Sequence, residues 1–128
     1  MKALAALVAA TATAVLAAPA HAADLKPVLR ISAVTAPVRV DVAYTITVSP
    51  AARAKGKRAR LQVKGIRAWT SVDTFRIPKS GKITDDVEGY QPGIGRYRVL
   101  VLGKNGKVLA KSNTATVVWT PRDAVVVQ

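Results

Sequence analysis

The chain has 128 residues, half of them hydrophobic, and carries 20 Lys and Arg against 7 Asp and Glu, a formal +13 at neutral pH. With no Cys and one His, it offers no disulfide staple, no thiolate nucleophile and no zinc site built from the usual soft ligands. A chain of this length makes one domain, able to bury roughly 60–70% of its unfolded surface without cross-links.

The first element is a targeting segment. Met1-Lys2, the apolar stretch 3–18, Pro19 and Ala20-His21-Ala22 supply a charged start, a hydrophobic region, a helix breaker and an A-x-A cleavage signal. We read a helical signal peptide over 1–22, followed by one domain over 23–128 that is secreted or held at the cell envelope. A lasting membrane anchor fits less well, because the stretch is Ala-rich, contains Thr11 and Thr13, and falls short of the ~20 strongly apolar residues that span a bilayer. No Cys stands near the cut to take a lipid. Cleavage removes Lys2 and His21. The remaining 106 residues carry 19 Lys and Arg against the same 7 carboxylates, a formal +12.

Strand signals then follow one another. Residues 28–34 (VLRISAV) form a first strand, and Pro37 beyond it suits an edge strand that switches sheets. In 41–49 (DVAYTITVS), Val42, Tyr44, Ile46 and Val48 share one face, the cleanest alternation in the chain. Residues 50–57 (PAARAKGK) read as a basic loop. Strand 58–64 (RARLQVK) turns Ala59, Leu61 and Val63 inward and Arg58, Arg60, Gln62 and Lys64 outward. Trp69 stands at a bend before a less regular strand, 71–77 (SVDTFRI), which Pro78 closes. Lys79-Ser80-Gly81 is a turn into strand 82–88, where Ile83 points to the core.

Pro92, Gly93 and Gly95 bring the chain sharply into the next strand, where Tyr97, Val99 and Val101 alternate with Arg96, Arg98 and Leu100. Gly103-Lys104-Asn105-Gly106 is a hairpin turn, since Asn-Gly tolerates positive φ. Residues 107–119 return as a last strand with Ala115, Val117 and Trp119 inward. Val125-Val126-Val127 is either a tail or an added strand. Seven short strands and no amphipathic helix point to an all-β sandwich.

Tyr97, with glycines two and four positions before it, resembles the tyrosine corner at the start of strand F in immunoglobulin-like and fibronectin type III sandwiches. The wider pattern runs Arg60-Leu61-Gln62-Val63, Trp69, Gly81-Lys82-Ile83, Gly95-Arg96-Tyr97-Arg98-Val99 and Ser112-Asn113-Thr114-Ala115-Thr116-Val117. It resembles the bacterial immunoglobulin-like domains of exported actinobacterial proteins over nearly the whole of 28–120. That resemblance implies a seven-stranded immunoglobulin-like sandwich, a role as spacer, adhesion or binding module, and Trp69 packed against the core. Val99 stands where an antibody domain carries its second Cys, in keeping with a disulfide-free variant.

Catalytic chemistry finds little to work with. Without His or Cys after cleavage, Ser–His and Cys–His pairs are impossible, and no Ser lies three residues before a Lys. Asp85, Asp86 and Glu88 cluster, but supply too few oxygens for calcium and no aromatic platform for a glycosidase. Gly89, Gly93 and Gly95 precede a strand, not a helix N-terminus, so they cradle no phosphate. The expectation is no enzyme, no cofactor and no metal.

The basic surface carries the one functional signal. Arg58, Arg60 and Lys64 face outward on one strand and Arg96 and Arg98 on another, and in an immunoglobulin-like sandwich these two strands are neighbours. Like charges side by side repel unless an anion sits between them. The primary reading is therefore a non-catalytic module with a binding or structural role. Its alternative is a polyanion-binding face taking a teichoic polymer, an acidic glycan or anionic lipid. Nucleic acid is a poorer partner, since Tyr44, Tyr97 and Trp119 point inward and leave nothing to stack bases on. The plainer use of the same charges is solubility and protection of sheet edges.

Overall fold

β-branched residues on a two-residue period commit most of the chain to strands. The computed structural model describes residues 24–122, so the expected signal peptide, 1–22, and the tail or added strand expected at Val125–Val127 lie outside the described residues. In order the elements are β1 (Lys26–Ile31), β2 (Thr35–Pro37), β3 (Val42–Ser49), α1 (Ala51–Ala54), β4 (Arg58–Lys64), β5 (Trp69–Arg76), β6 (Lys82–Val87), β7 (Gly93–Leu102), β8 (Val108–Lys111) and β9 (Ala115–Thr120). A 3-10 turn over Lys104–Gly106 links β7 to β8.

Two sheets face each other. The smaller runs β1-β3-β6; the larger runs β2-β9-β7-β4-β5, with β8 also paired to β7. Alternation fills the space between them. Leu29, Val42, Tyr44, Ile46, Val48, Ile83 and Val87 come from the smaller sheet, and Ala59, Leu61, Tyr97, Val99, Val101, Val117 and Trp119 from the larger. The all-β sandwich is as the sequence leads one to expect.

The strand number differs: nine are described where seven are expected, because the chain breaks at two places, forming β2 beyond the predicted strand 28–34 and splitting the predicted strand 107–119 into β8 and β9. The first break carries the chain from one sheet to the other. β1 pairs antiparallel with β3, whereas β2 pairs parallel with β9, Ala36 opposite Trp119. Pro37 ends this edge strand, where a missing N–H is tolerated. The second break falls at Ser112-Asn113-Thr114. Ser112 keeps hold of β7 through its own N–H to the Val99 carbonyl (2.9 Å) and its Oγ, which accepts from the Val99 N–H (2.8 Å).

Asn113 swings the other way. Its Oδ1 accepts from the Leu29 N–H (2.9 Å) and its Nδ2 donates to the Leu29 carbonyl (3.0 Å), so one amide side chain substitutes for a rung of ladder against β1. The basic loop also differs from expectation in holding the single turn α1, whose Ala54 is fully buried.

At the end where β7 begins, Trp119 Nε1 donates to Tyr97 Oη at 3.1 Å, and both rings are buried. Glycines make the room. A Cβ on Gly89 would stand 2.4 Å from Trp119 Cδ2, and one on Gly95 would stand 2.9 Å from both Trp119 Nε1 and Tyr97 Cε1. Gly89→Ala should therefore cost about 1–3 kcal/mol through overpacking. Tyr97→Phe, which orphans a buried indole N–H, should cost about 1–3 kcal/mol. Urea unfolding reads both; a Gly89→Ala protein within about 0.5 kcal/mol of wild type, as for an ordinary surface change, would contradict this packing.

Candidate functional site

The outer face of the larger sheet is assembled by register. β4 lies between β5 and β7, with Arg60 opposite Leu100, Gln62 opposite Arg98 and Lys64 opposite Trp69. Because Tyr97 and Val99 point into the core, Arg96 and Arg98 point away from it. Arg98 is half-buried: its Nε donates to Gln62 Oε1 at 2.8 Å, and its guanidinium lies 4.1 Å from the Trp69 ring centroid. The Lys64 ammonium stands 5.6 Å from the same ring. Arg60, also half-buried, donates from Nε to Thr74 Oγ1 at 3.3 Å. Arg58, Lys64 and Arg96 are exposed.

Trp69 is thus not a core residue, contrary to the expectation drawn from resemblance. It opens β5 directly across from Lys64, and a cross-strand partner of an outward residue must itself point outward. The turn gives the signal that could have shown this. The Gly65 N–H bonds the Ala68 carbonyl at 2.7 Å, closing a hairpin that sets Trp69 against Lys64.

Two cations of the same face escaped the sequence reading. Arg76 sits opposite Arg58, and Lys111 opposite Leu100. Leu100 is only 6% exposed although it faces outward, with Arg60 and Lys111 as its cross-strand partners on either side. Arg58 and Arg76 are direct cross-strand partners, a like-charge pairing that is unfavourable unless an anion screens it. None of the residues that register places on this face is acidic, and among the described residues the ion pair is Arg53 with Asp24, beside α1.

The carboxylates gather elsewhere. Asp85 is the register partner of Tyr44 on the smaller sheet, and Asp73 lies opposite the inward Leu61 after a bulge in β5. Asp85 Oδ1 accepts from the Asp86 N–H (2.8 Å) and Asp73 Oδ1 from the Thr74 N–H (2.9 Å). Burial, helped by the charges of Asp85, Asp73 and Asp86, pushes the Tyr44 phenol well above its ordinary value. Burial likewise raises Tyr97, against the opposing pull of its Trp119 hydrogen bond. Among the described residues no three His, Cys, Asp or Glu side chains come together as a metal site. Lys79-Ser80 is an exposed turn, and Lys111-Ser112 lies where β8 ends, with Ser112 Oγ engaged by Val99.

No family model matches the chain, and no curated protein does. Among solved structures it is similar to the CARDB domain of a Pyrococcus furiosus protein, in a crystal structure described as a complex with di-metal ions. The TM-score there is 0.54 at 17% identity, covering 77% of this chain and 94% of that one. A solution NMR structure of the same domain gives a TM-score of 0.52 at 18% identity, covering 76% and 94%. What is shared at such identity is the immunoglobulin-like sandwich.

Tyr44 yields a test in alkali. The folded chain holds this proton at a pH where the unfolded chain, with its ordinary value near 10, has lost it. The associated stability is complete below pH 10 and drains away as pH rises past it, since the native state then binds more protons than the unfolded one. Urea midpoints measured from about pH 9 to about pH 11.5 should fall more gently for Tyr44→Phe than for wild type. Parallel curves would contradict the buried phenol.

Proposed function

We propose that the chain is an exported, non-catalytic immunoglobulin-like module that binds an extended anionic polymer, a teichoic polymer or acidic glycan of the cell envelope, through the outer face of the larger sheet. The reading of export rests on the charged start, apolar stretch and A-x-A signal of residues 1–22.

One observation carries the binding reading: the positions of the cations. Charges that merely protect a sheet belong on its edges, here β2 and β5. Arg58, Arg60, Lys64, Arg96 and Arg98 instead lie on β4 and β7, two interior strands with neighbours on both sides. Gathering them there, without a carboxylate among them, raises the energy of the bare face and lowers it when an anion arrives. Arg60 and Arg98 are held in place by Thr74, Gln62 and Trp69, so little side-chain freedom is lost on binding. The half-exposed Trp69 adds apolar surface for a sugar ring. Catalysis has no such support: the polar cluster left over is carboxylates beside a protonated phenol.

Heparin affinity chromatography tests the proposal. The protein should be retained, with elution set by salt, and Arg60→Glu/Arg98→Glu should elute at much lower salt. Arg30→Glu/Lys82→Glu makes the same change in net charge on the smaller sheet and should elute close to wild type. Equal losses for the two double variants would reduce the effect to net charge and overturn the proposal.

A further inference from the structure

At the end of the sandwich where β4 starts and β7 finishes, a concave feature adjoins the sheet face and shares Arg58 and Arg76 with it. It is a pocket of about 360 Å³, within the size range of small-molecule sites, bounded by Lys55, Lys57, Arg58, Arg76 and Lys104 over a floor of Leu102. No acidic side chain lines it.

Its walls are fixed by backbone bonds. The Gly56 N–H bonds the Ile77 carbonyl (2.9 Å) and the Ile77 N–H bonds the Lys57 carbonyl (2.8 Å), tying the segment before β4 to the end of β5. On the other side the Gly103 N–H bonds the Lys107 carbonyl (2.8 Å), holding the turn that carries Lys104. Lys57 Nζ is partly engaged, donating to the Arg53 carbonyl at 2.8 Å. The other four cations are exposed, and among the described residues none of them has an ion-pair partner.

We infer that this pocket binds a compact, multiply charged phosphoryl group. Arg58 and Arg76 are register partners at its rim, and two adjacent guanidinium forks can each give paired N–H bonds to phosphoryl oxygens. Lys55 and Lys104 close in from two separate turns as point charges. Leu102, 1% exposed, forms a low-dielectric wall behind them, which strengthens attraction for an anion seated in front. A diffuse polyanion needs only a charged plane; a concave ring of cations on fixed turns suits a group small enough to be surrounded. The inference does not require the sheet face to bind anything.

Tripolyphosphate, titrated into isotope-labelled protein and followed by amide NMR, is the test. Shifts should be confined to Lys55–Arg58, Arg76 and the Gly103–Lys104 turn. Arg76→Gln/Lys104→Gln should weaken binding at least about tenfold, while Arg96→Gln/Arg98→Gln on the face stays within about twofold. Glycerol phosphate in a parallel arm separates the sources: tighter binding than tripolyphosphate assigns the pocket to a phosphate ester, weaker binding to a free oligophosphate. Shifts spread over the sheet face, equal losses in the two double variants, or the same response to sulfate would each overturn the assignment.

Discussion

The hydrogen bond from the Trp119 indole to the Tyr97 hydroxyl, made inside the sandwich against Gly89 and Gly95, decides which way β7 and β9 face. Once Tyr97 is seated, the two-residue period leaves Arg96 and Arg98 no direction but outward. A slip of one residue would bury two guanidinium groups and expose Tyr97, Val99 and Val101. β4 inherits the same order through its register with β7, so Leu61 goes in and Arg60 and Gln62 come out. Core packing and the charged face are thus one arrangement seen from its two sides.

That arrangement separates charge across the molecule. Cations occupy the middle of the larger sheet, while the charges of Asp85 and Asp86 on β6 and of Asp73 on β5 help to keep the Tyr44 phenol protonated. Neutralising pairs across the cationic face would have stabilised the free protein, and the sequence does not place them there. Trp69 lies among these charges, with Arg98 and Lys64 both close to its ring and Arg98 also bonded to Gln62. The pocket between the turns at Gly56 and Gly103 concentrates the same sign of charge in a concave form.

Much of this was legible in the residues themselves. β4 spans 58–64 as alternation alone indicates, and Val42, Tyr44, Ile46 and Val48 are buried as their spacing demands. The neighbouring placement of Arg60 and Arg98 followed from the sandwich topology. Long-range partners were not legible. Ser112 and Asn113 break a predicted strand because they bond to Val99 and Leu29, and nothing local announces a partner 84 residues away. Trp69 faces outward, against what the resemblance implies, because the hairpin between β4 and β5 pairs it with Lys64. Arg76 and Lys111 were missed for a related reason: their face depends on pairings that bulges at β5 and β8 shift by one residue. The basic pocket draws its walls from three separate segments, so no single stretch of sequence displays it.

A polyanion bound as proposed meets the outer face of the larger sheet and leaves the smaller sheet untouched. Amide NMR of the protein with a short heparin oligosaccharide decides this, because each strand reports for itself. Shifts are expected on β4, β5 and β7, with the Trp69 indole N–H among the largest and the buried Trp119 indole nearly still. Shifts centred on β1, β3 and β6, or spread evenly over both sheets, would contradict it.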